Sequence, residues 1–296
     1  MLKRTLYFTK PGYLSLKNKQ LFVEMKDDEQ AKTVPVEDIG FMLIENMQIT
    51  LSMPLIEELM NNNVAVIFCN SRHHPQSMLL NMEGNHQQTE IYRQQVSASE
   101  PLKKNLWKQT IIAKIVNQAK VLDRLGIDSN PLPYLAKQVK SGDSDNREGM
   151  AARLYWKRLF GKEFTRDRHG DWPNALLNYG YIVLRAAIAR ALTGSGLLPS
   201  FGIFHKNRYN AFCLADDIME PYRPFVDLSV WDICQKYPDI DSVEKEIKAE
   251  ILEILSSDVA MKKQTRPLMI AVSHTTASLA ACFTGAKKHI EYPLII

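Results

Sequence analysis

The hydrophobic pattern of this chain changes its period once, near residue 100, and this change constrains the fold more than any other feature. Before it, apolar and polar residues alternate, as from Leu14 to Lys17 and from Leu21 to Met25, on either side of an Asn18-Lys19 turn. Alternation of this kind predicts half-buried strands, here paired as a hairpin. From Leu102 onward, apolar residues recur three and four positions apart, which predicts amphipathic helices. We therefore expect a β-rich first part and a helical second part.

One helix is expected inside the β-rich part. Ser52 is a favourable N-cap, Pro54 suits the first helical turn, and the run Asn61-Asn62-Asn63 marks the end. The apolar residues 64–69 that follow are typical of a strand buried on both faces. The pattern therefore predicts a small β-domain that contains one helix.

Chain length agrees with two domains. At about 100–200 residues per domain, the 296 residues suit two. The expected fold class is α+β, with a small β-sandwich-like N-terminal domain followed by a larger all-α domain. The expected boundaries are residues 1–80 for the β-rich domain, 81–100 for a linker and first helix, and 101–296 for the helical domain. Within the last, helices are expected over residues 147–160, 176–191, 210–220, 225–237, 242–256 and 266–284.

Composition excludes several classes of protein. Apolar residues make up 45% of the chain and charged residues 24%, which is typical of globular proteins and not of disordered, collagen-like or disulfide-rich ones. No run approaches the ~18 apolar residues that span a bilayer, so we expect a soluble, intracellular protein. The four cysteines show no C-x-x-C spacing, which excludes a zinc ribbon or redox motif. Cys69, Cys213 and Cys282 have the apolar neighbours of buried thiols.

Charge is distributed unevenly along the chain. The net charge is only +4, but residues 101–210 contain 19 Lys/Arg and 8 Asp/Glu, whereas the remainder contains 18 and 25. A basic middle in an otherwise acidic chain predicts a surface that binds polyanions. Solvated helix faces rich in lysine would give the same counts, so charge alone leaves both interpretations open.

One acidic segment of the chain is the strongest candidate site. No G-x-G-x-x-G, P-loop, G-x-S-x-G or H-E-x-x-H motif is present, so dinucleotide, nucleoside triphosphate and zinc-protease sites lack support. In residues 214–224, Asp217 and Glu220, or Asp216 and Glu220, lie one helical turn apart near a helix end. Neighbouring carboxylates repel, so a divalent metal or Arg223 should compensate. An exposed acidic helix end paired with Arg223 is the alternative.

Two further segments carry polar residues of interest. Ser144 or Asp145 is expected to cap a helix whose first turn contains Glu148, where the helix dipole favours a carboxylate. His205 follows a glycine turn in the basic region. Taken alone, each residue has an ordinary structural interpretation, because a capping acid and a single histidine need no function.

Together the three segments resemble the CRISPR adaptation integrase family, the universal spacer-acquisition endonuclease of CRISPR systems. The motifs occur in order: Asn146-Arg147-Glu148-Gly149-x-Ala151-Ala152-Arg153-x-Tyr155, then Phe201-Gly202-x-x-His205, then Asp217-Ile218-Met219-Glu220-Pro221-Tyr222-Arg223-Pro224 with Asp227. The resemblance covers nearly the whole chain, with the β-rich part before the helical part. Glu220 stands where other branches carry Asp, which resembles the type II branch.

The resemblance implies a single divalent-metal site formed by the catalytic residues Glu148, His205 and Glu220, with Asp217 as an auxiliary carboxylate. The metal implied is Mn²⁺ or Mg²⁺, and two carboxylates with one imidazole suit Mn²⁺ well and Mg²⁺ acceptably. The reaction implied is transesterification, in which the 3′-OH of a foreign DNA fragment attacks a phosphodiester of the CRISPR repeat. Whether His205 is a ligand or a proton acceptor, and whether Asp217 rather than Glu220 binds the metal directly, is left open.

The resemblance also implies partners. The candidates for contact with DNA phosphates are Arg147, Arg153, Lys206, Arg208 and Arg223. A homodimer is expected through the N-terminal domains, with two such dimers flanking a dimer of a small adaptation partner protein in a 4:2 complex, in the cytoplasm of a prokaryote and away from membranes. In the type II branch, the RNA-guided effector nuclease and an accessory DNA-binding ring are further expected partners.

Two other functions remain compatible with these residues. The first is a plain metal-dependent DNase or structure-specific nuclease without integration, which would give no strand-transfer products. The second is a non-catalytic nucleic-acid-binding scaffold in which Glu148 and Glu220 are only helix-terminal charges. A metal-dependent change in activity or melting would exclude the scaffold.

Overall fold

The alternating residues near the N-terminus form the predicted hairpin. In the structure, a computed structural model that describes residues 3–26 and 30–296, strands Gly12–Lys17 and Gln20–Met25 pair antiparallel. The turn residues Asn18 and Lys19 have φ of 52° and 58°. A tight two-residue hairpin requires these left-handed conformations, and asparagine tolerates them well.

The first compact unit comprises residues 1–86. Its described strands are β1 (Arg4–Phe8), β2 (Gly12–Lys17), β3 (Gln20–Met25), β4 (Lys32–Pro35), β5 (Ile39–Ile44), β6 (Ile49–Leu51), β7 (Ala65–Cys69) and β8 (Pro75–Leu79). One sheet has the order β1-β5-β7-β8, in which β5 runs parallel to β1 and β7, and β8 is antiparallel to β7. The other has the order β4-β3-β2-β6, antiparallel except that β6 runs parallel to β2.

Among the described residues of this unit, one α-helix joins the two sheets in a common core. Helix α1 (Met53–Asn61) begins after Ser52, as predicted, and its buried Leu55 and Leu59 face residues of both sheets. The buried strand residues of this core include Leu14, Leu21 and Val23 from one sheet and Met42, Ile44 and Val66 from the other. The predicted buried strand is β7, in which only Phe68 is half-exposed. The β-rich, sandwich-like unit with one α-helix is therefore confirmed.

The second compact unit comprises residues 87–296 and is largely helical, as predicted. Its helices are α2 (Gln88–Val96), α3 (Glu100–Arg124), α4 (Leu132–Lys137), α5 (Arg147–Leu159), α6 (Asn174–Gly194), α7 (Cys213–Met219), α8 (Arg223–Lys236), α9 (Lys245–Leu252) and α10 (Leu268–Phe283). Short 3₁₀ turns precede α5 and follow α7 and α9.

One expectation about this unit is wrong in detail, because the unit is not entirely helical. Strands β9 (Asp258–Met261) and β10 (Gln264–Pro267) form an antiparallel hairpin, so the helix expected from residue 266 begins instead at Leu268. The turn residues Lys262 and Lys263 have φ of 50° and 63°. Two lysines are not a recognisable turn signal, and the pattern therefore hid the hairpin.

Helix α3 occupies a central position in the helical unit, where it packs against α4, α5, α7 and α8. Its buried side includes Ile111 and Ile115, whereas Ile112 and Val116 are only half-buried. The buried side also includes the polar residues Lys114 and Gln118. The helix therefore brings a positive charge into the interior of the unit.

Helix α6 is the core helix of this unit. It packs against α7, α8, α9 and α10, and most of its residues are buried. Among the described helices it alone has the length and composition that a membrane span requires, and 72% of its most apolar window is buried inside the structure. A helix that is apolar on all sides is stable where other helices enclose it, and α6 is enclosed in this way.

Replacing Gly180 of α6 with alanine should destabilise the helical unit. A Cβ at this position would lie 2.6 Å from Cγ1 of Val226 in α8 and 3.3 Å from Cγ1 of Ile251 in α9. Overpacking typically costs about 1–3 kcal/mol, which exceeds the gain of about 1 kcal/mol from the helix propensity of alanine. Urea unfolding should show a lower midpoint for Gly180→Ala. In a Val226→Ala background the same substitution should cost less, and equal costs in both backgrounds would contradict this packing.

Candidate active site

The carboxylate of Asp217 in α7 organises the loop before this helix. Its Oδ2 accepts hydrogen bonds from the backbone N–H of Ile203 (2.7 Å) and Phe204 (2.9 Å), and its Oδ1 accepts one from the backbone N–H of His205 (3.2 Å). A Cβ on Gly202 would lie 2.7 Å from Oδ2, so only glycine lets the loop approach this closely. Burial raises the pKa of Asp217, although its bonds with His205 and Phe204 oppose the shift. The buried acid therefore fixes the backbone that presents His205.

The same carboxylate orients the imidazole of His205. Nδ1 of His205 lies 2.6 Å from Oδ1 of Asp217, and the histidine side chain is 44% exposed. This hydrogen bond raises the pKa of His205 above 6.5, although burial acts in the opposite direction. With Nδ1 bonded to an acid, Nε2 is the atom left to bind a metal or accept a proton, as in metal sites where a carboxylate orients a ligating histidine.

Glu148 lies in the first turn of α5, as predicted, but a different residue caps the helix. The N-cap is Asn146, whose side chain accepts a hydrogen bond from the backbone N–H of Gly149 at 3.1 Å. The carboxylate of Asp143 accepts from the backbone N–H groups of Arg147 (2.9 Å) and Glu148 (3.0 Å). Neither Ser144 nor Asp145 therefore takes the expected role, because Asp143 and Asn146 already satisfy these free amides.

Glu220 lies in the 3₁₀ turn that joins α7 to α8 and is buried. Its Oε1 accepts a hydrogen bond from Nε of Arg223 at 2.9 Å, and its Oε2 accepts one from Nζ of Lys114 at 2.6 Å. Burial alone would raise the pKa of Glu220, but the positive charges of Arg223 and Lys114 outweigh it and lower the pKa to about 2. Glu220 is therefore ionised at neutral pH.

Lys114 of α3 joins Glu148 to Glu220. Its Nζ donates to Oε1 of Glu148 at 2.5 Å as well as to Glu220, and its side chain is only 10% exposed. Burial alone would lower the pKa of Lys114, but the two carboxylates raise it above the usual value. This residue was not among those predicted, because its neighbours on the helix face, Thr110, Asn117 and Gln118, are also polar and the local pattern does not mark the lysine as buried. The two carboxylates thus surround one positive charge.

The three neighbouring acids of the motif have separate partners. Asp216 accepts a hydrogen bond from the side chain of Asn210 at 2.7 Å and lies 3.7 Å from a guanidinium nitrogen of Arg185. Asp217 binds the His205 loop, and Glu220 binds two cations. The expected compensation by Arg223 is present, and Lys114 adds to it. The three acids therefore point to different partners: Asp217 binds a loop, whereas Asp216 and Glu220 lie beside positively charged side chains.

A second buried acid supports Arg223. Asp227 of α8 accepts hydrogen bonds from the hydroxyls of Tyr155 (3.0 Å) and Tyr181, and burial raises its pKa to about 7 although both hydroxyls oppose this. The guanidinium of Arg223 lies 4.4 Å from the ring centroid of Tyr181, a favourable cation–π distance. These contacts hold the arginine that binds Glu220.

Two clefts open onto the site. The first, of about 230 Å³, is lined by Lys114, Gln118, Ala152, Trp156, Arg166, Arg168, Tyr181, Glu220, Arg223 and Asp227. The second, of about 510 Å³, contains His205 together with Glu220, Arg223, Asp216 and further basic and polar residues. The structure thus brings Glu148 and Glu220 together through Lys114, and places Glu220 and His205 along one cleft.

The donor set fits a hard divalent cation, although it is not assembled around one. Among residues 3–26 and 30–296, no three His, Cys, Asp or Glu side chains converge closely enough to hold a metal as they stand. Glu148 and Glu220 already share one positive charge, and Nε2 of His205 belongs to the same cleft as Glu220. Two carboxylates and an imidazole suit Mn²⁺ or Mg²⁺.

The residues expected to contact DNA have varied surroundings. Arg153, Lys206 and Arg208 are exposed. Nζ of Lys206 lies 3.4 Å from Oε1 of Glu100, and the guanidinium of Arg208 lies 4.6 Å from the ring centroid of Tyr209. Arg147 is half-buried, and Arg223 is part of the site itself. Exposed basic and aromatic side chains next to His205 are typical of single-strand binding surfaces.

Comparison with known sequences identifies relatives over the whole chain. Residues 6–271 match the family described as "CRISPR associated protein Cas1". The chain is 37% identical over 299 aligned residues to the "CRISPR-associated endonuclease Cas1" of Neisseria meningitidis serogroup C strain 8013, an alignment that covers 100% of this chain and 97% of that protein.

Solved structures share the fold. A "Casposase bound to integration product" superimposes with a TM-score of 0.80 at 21% identity, over 97% of this chain and 92% of that one. A chain of a "Cas6-RT-Cas1--Cas2 complex" superimposes with a TM-score of 0.71 at 18% identity, over 97% of this chain and 35% of that one.

Replacing Asp217 with asparagine should lower the pKa of His205. The hydrogen bond and negative charge of Asp217 raise this pKa, and the amide supplies neither to the same extent. At pH values between the two pKa values, His205 should be neutral in Asp217→Asn and protonated in the unsubstituted protein. NMR titration of the imidazole signals measures this directly, with His274 as the internal reference, since burial, Arg266 and Lys262 keep its pKa below 6.5. An unchanged pKa of His205 would contradict the described contact.

Proposed function

The chain belongs to the Cas1 family of CRISPR-associated proteins, and on that premise we propose that it is a divalent-metal-dependent DNA endonuclease and integrase of CRISPR adaptation. In this reaction the 3′-OH end of a foreign DNA fragment attacks a phosphodiester of the CRISPR repeat. The bond from the new oxygen to phosphorus forms as the bond to the 3′ oxygen of the repeat breaks. One observation carries the proposal: Glu148 and Glu220, far apart in sequence, meet at a single positive charge beside a basic cleft.

The proposed metal ligands are Glu148, Glu220 and Nε2 of His205, with Mn²⁺ or Mg²⁺ as the metal. Such a cation would lower the pKa of the attacking hydroxyl and neutralise charge on the phosphoryl oxygens. Asp217 is proposed to act through His205, because its carboxylate holds Nδ1 and leaves Nε2 available. The catalytic residues are therefore Glu148, His205 and Glu220, and Asp217 is a positioning residue.

DNA binding is proposed for the cleft and for the loop beside it. Arg166 and Arg168 line both clefts, and Arg185 lines the larger one, so phosphates entering there would meet several guanidinium groups. Lys206 and Arg208 lie on the loop that carries His205, together with Tyr209, which is 80% exposed. Stacking on such a ring and pairing with these cations would hold a single-stranded end near His205.

The partners expected from the resemblance are part of the same proposal. A homodimer through the β-rich unit and a 4:2 complex with the small adaptation partner would set two sites at a fixed spacing on one DNA. The structural neighbour from the "Cas6-RT-Cas1--Cas2 complex" superimposes on 97% of this chain, which supports a partner of that kind. A type II effector nuclease and its accessory ring would act with this complex in the prokaryotic cytoplasm.

A strand-transfer assay tests the proposed reaction. A labelled duplex with free 3′-OH ends, a supercoiled plasmid carrying the repeat, the small partner protein and Mn²⁺ should give label joined to plasmid, and EDTA should abolish it. Glu148→Gln and Glu220→Gln should each lower the rate by more than about 100-fold, since even outer partners of a metal ligand contribute about 10–100-fold. The control is Asp216→Asn, because Asp216 bonds to Asn210 and Arg185 instead.

Three results would count against the proposal. Cleavage without joining would leave a nuclease without integration. Unchanged rates in both glutamate variants would place the site elsewhere. If Asp216→Asn lowered the strand-transfer rate as much as the glutamate variants do, the assignment of Glu148 and Glu220 as metal ligands would lose its support.

Salt dependence tests the proposed DNA surface. Arg208→Gln should reduce the slope of log affinity against log salt concentration by about one unit, because one fewer phosphate counterion is released. Lys245→Gln removes an exposed charge that lines neither cleft of the site nor the pocket around the His205 loop, and it should leave the slope unchanged. Fluorescence anisotropy with a labelled duplex at several salt concentrations measures both, and equal slopes for the two variants would contradict the assignment.

A further inference from the structure

Lys114 is an unusual residue to find between two acids of a nuclease site. Its ammonium lies 2.5 Å from one oxygen of Glu148 and 2.6 Å from one oxygen of Glu220. The side chains of Lys114 and Glu220 are 10% and 8% exposed, and that of Glu148 is 28% exposed. A lysine is buried at this depth only where acids compensate the lost hydration. Conversely, two acids drawn to one point need a positive charge between them. Each partner therefore stabilises the other's burial.

The ammonium occupies the position that a cation bound to both acids would need. A cation that binds Oε1 of Glu148 and Oε2 of Glu220 together would lie where the ammonium of Lys114 now lies. A lysine and a divalent cation at one point would repel each other strongly. Lys114 therefore has to leave this pair for both acids to bind a metal, and it needs somewhere to go.

Gln118 offers that place. It lies one helical turn beyond Lys114 on α3, lines the same cleft, and is 2% exposed. Its Oε1 is buried, and among the residues that the structure describes it has no hydrogen-bond partner. A buried acceptor without a donor costs about 1–3 kcal/mol, and side chains four apart on a helix are within reach of each other.

We propose that Lys114 is a built-in cation that holds the Glu148–Glu220 pair together before metal binding and moves to Oε1 of Gln118 when a divalent cation takes its place. The inference rests on the proposed function only in taking this acid pair as the metal site. Lys114 is thus a positioning residue. It keeps the two acids close while the site is empty, and it makes metal binding a competition with the protein's own charge.

Mn²⁺ binding to the full-length protein tests the competition. Electron paramagnetic resonance of free Mn²⁺ gives the dissociation constant, and thermal melting with and without Mn²⁺ gives the stabilisation. Lys114→Met keeps the length of the side chain and removes the charge, so Mn²⁺ should bind about ten-fold more tightly, which corresponds to about 1.4 kcal/mol. The metal-free variant should melt lower than the unsubstituted protein, and Mn²⁺ should raise its melting temperature by more.

Two matched variants separate this from a general effect of charge. Lys120→Met removes a positive charge six residues further along α3 and should leave Mn²⁺ affinity close to that of the unsubstituted protein. Lys114→Arg keeps the positive charge and should bind Mn²⁺ no more tightly than the unsubstituted protein. Should Lys114→Met not fold, Lys114→Gln serves in its place, since an amide still donates hydrogen bonds to the acids.

The outcomes distinguish this inference from the proposed function. Unchanged or weaker Mn²⁺ binding in Lys114→Met, with binding still lost in Glu220→Gln, would overturn the built-in cation and leave the metal site standing. Absence of Mn²⁺ binding in every variant would overturn both. Tighter binding in Lys114→Met together with unchanged binding in Lys120→Met supports the inference.

Gln118 provides an independent test of where the ammonium goes. Gln118→Leu removes the acceptor and keeps the volume of the side chain, so Lys114 would have no partner after leaving the acids. Mn²⁺ should then bind several-fold more weakly, while the metal-free protein keeps or gains melting temperature because an unsatisfied buried group is gone. Unchanged Mn²⁺ affinity in Gln118→Leu would exclude Gln118 as the second position of Lys114.

Discussion

The site depends on a simple electrostatic constraint: two carboxylates brought to one largely buried place need positive charge between and around them. Glu148 and Glu220 meet this requirement through Lys114, and Glu220 meets it again through Arg223. The helix packing makes this arrangement possible. Helix α3, which packs against α4, α5, α7 and α8, supplies the lysine, and the first turn of α5 supplies Glu148.

The neighbouring acids show how one short segment supports several tasks. Asp217 is buried and accepts hydrogen bonds from the backbone of the loop that carries His205. It also contacts the imidazole of His205 and so fixes the orientation of that ring. Glu220, three residues later, reaches the other side of the turn and binds cations. Asp227 holds two tyrosine hydroxyls, one of which supports Arg223. The fixed loop and the paired charges together hold His205 and Glu220 in place.

Local patterns predicted the architecture well because they depend on neighbours in sequence. The change of period gave a β-rich unit and a helical unit, and the Asn18-Lys19 turn gave the hairpin at its correct position. The β9–β10 hairpin escaped because its Lys262-Lys263 turn lacks the residues typical of such turns. The cap of α5 was predicted at Ser144 or Asp145, but the N-cap is Asn146, and Asp143 accepts hydrogen bonds from two further backbone N–H groups of the first turn.

The site was only partly accessible from sequence for a different reason. Motif resemblance supplied Glu148, His205 and Glu220, but nothing local links Glu148 to Lys114, 34 residues before it, or Lys114 to Glu220, 106 residues after it. The residues around Lys114 on α3 include the polar Thr110, Asn117 and Gln118, so the local pattern does not distinguish this buried lysine from one at a helix surface. Contacts between residues so far apart in sequence depend on how the helices pack. No single sequence motif records that packing.

The most direct measurement is the anomalous scattering of Mn²⁺ in crystals grown with the metal, recorded on both sides of its absorption edge. We expect one strong peak within bonding distance of the carboxylates of Glu148 and Glu220 and of Nε2 of His205, with the ammonium of Lys114 withdrawn from the acids. A peak elsewhere in the protein, with Lys114 still bridging Glu148 and Glu220, would contradict it.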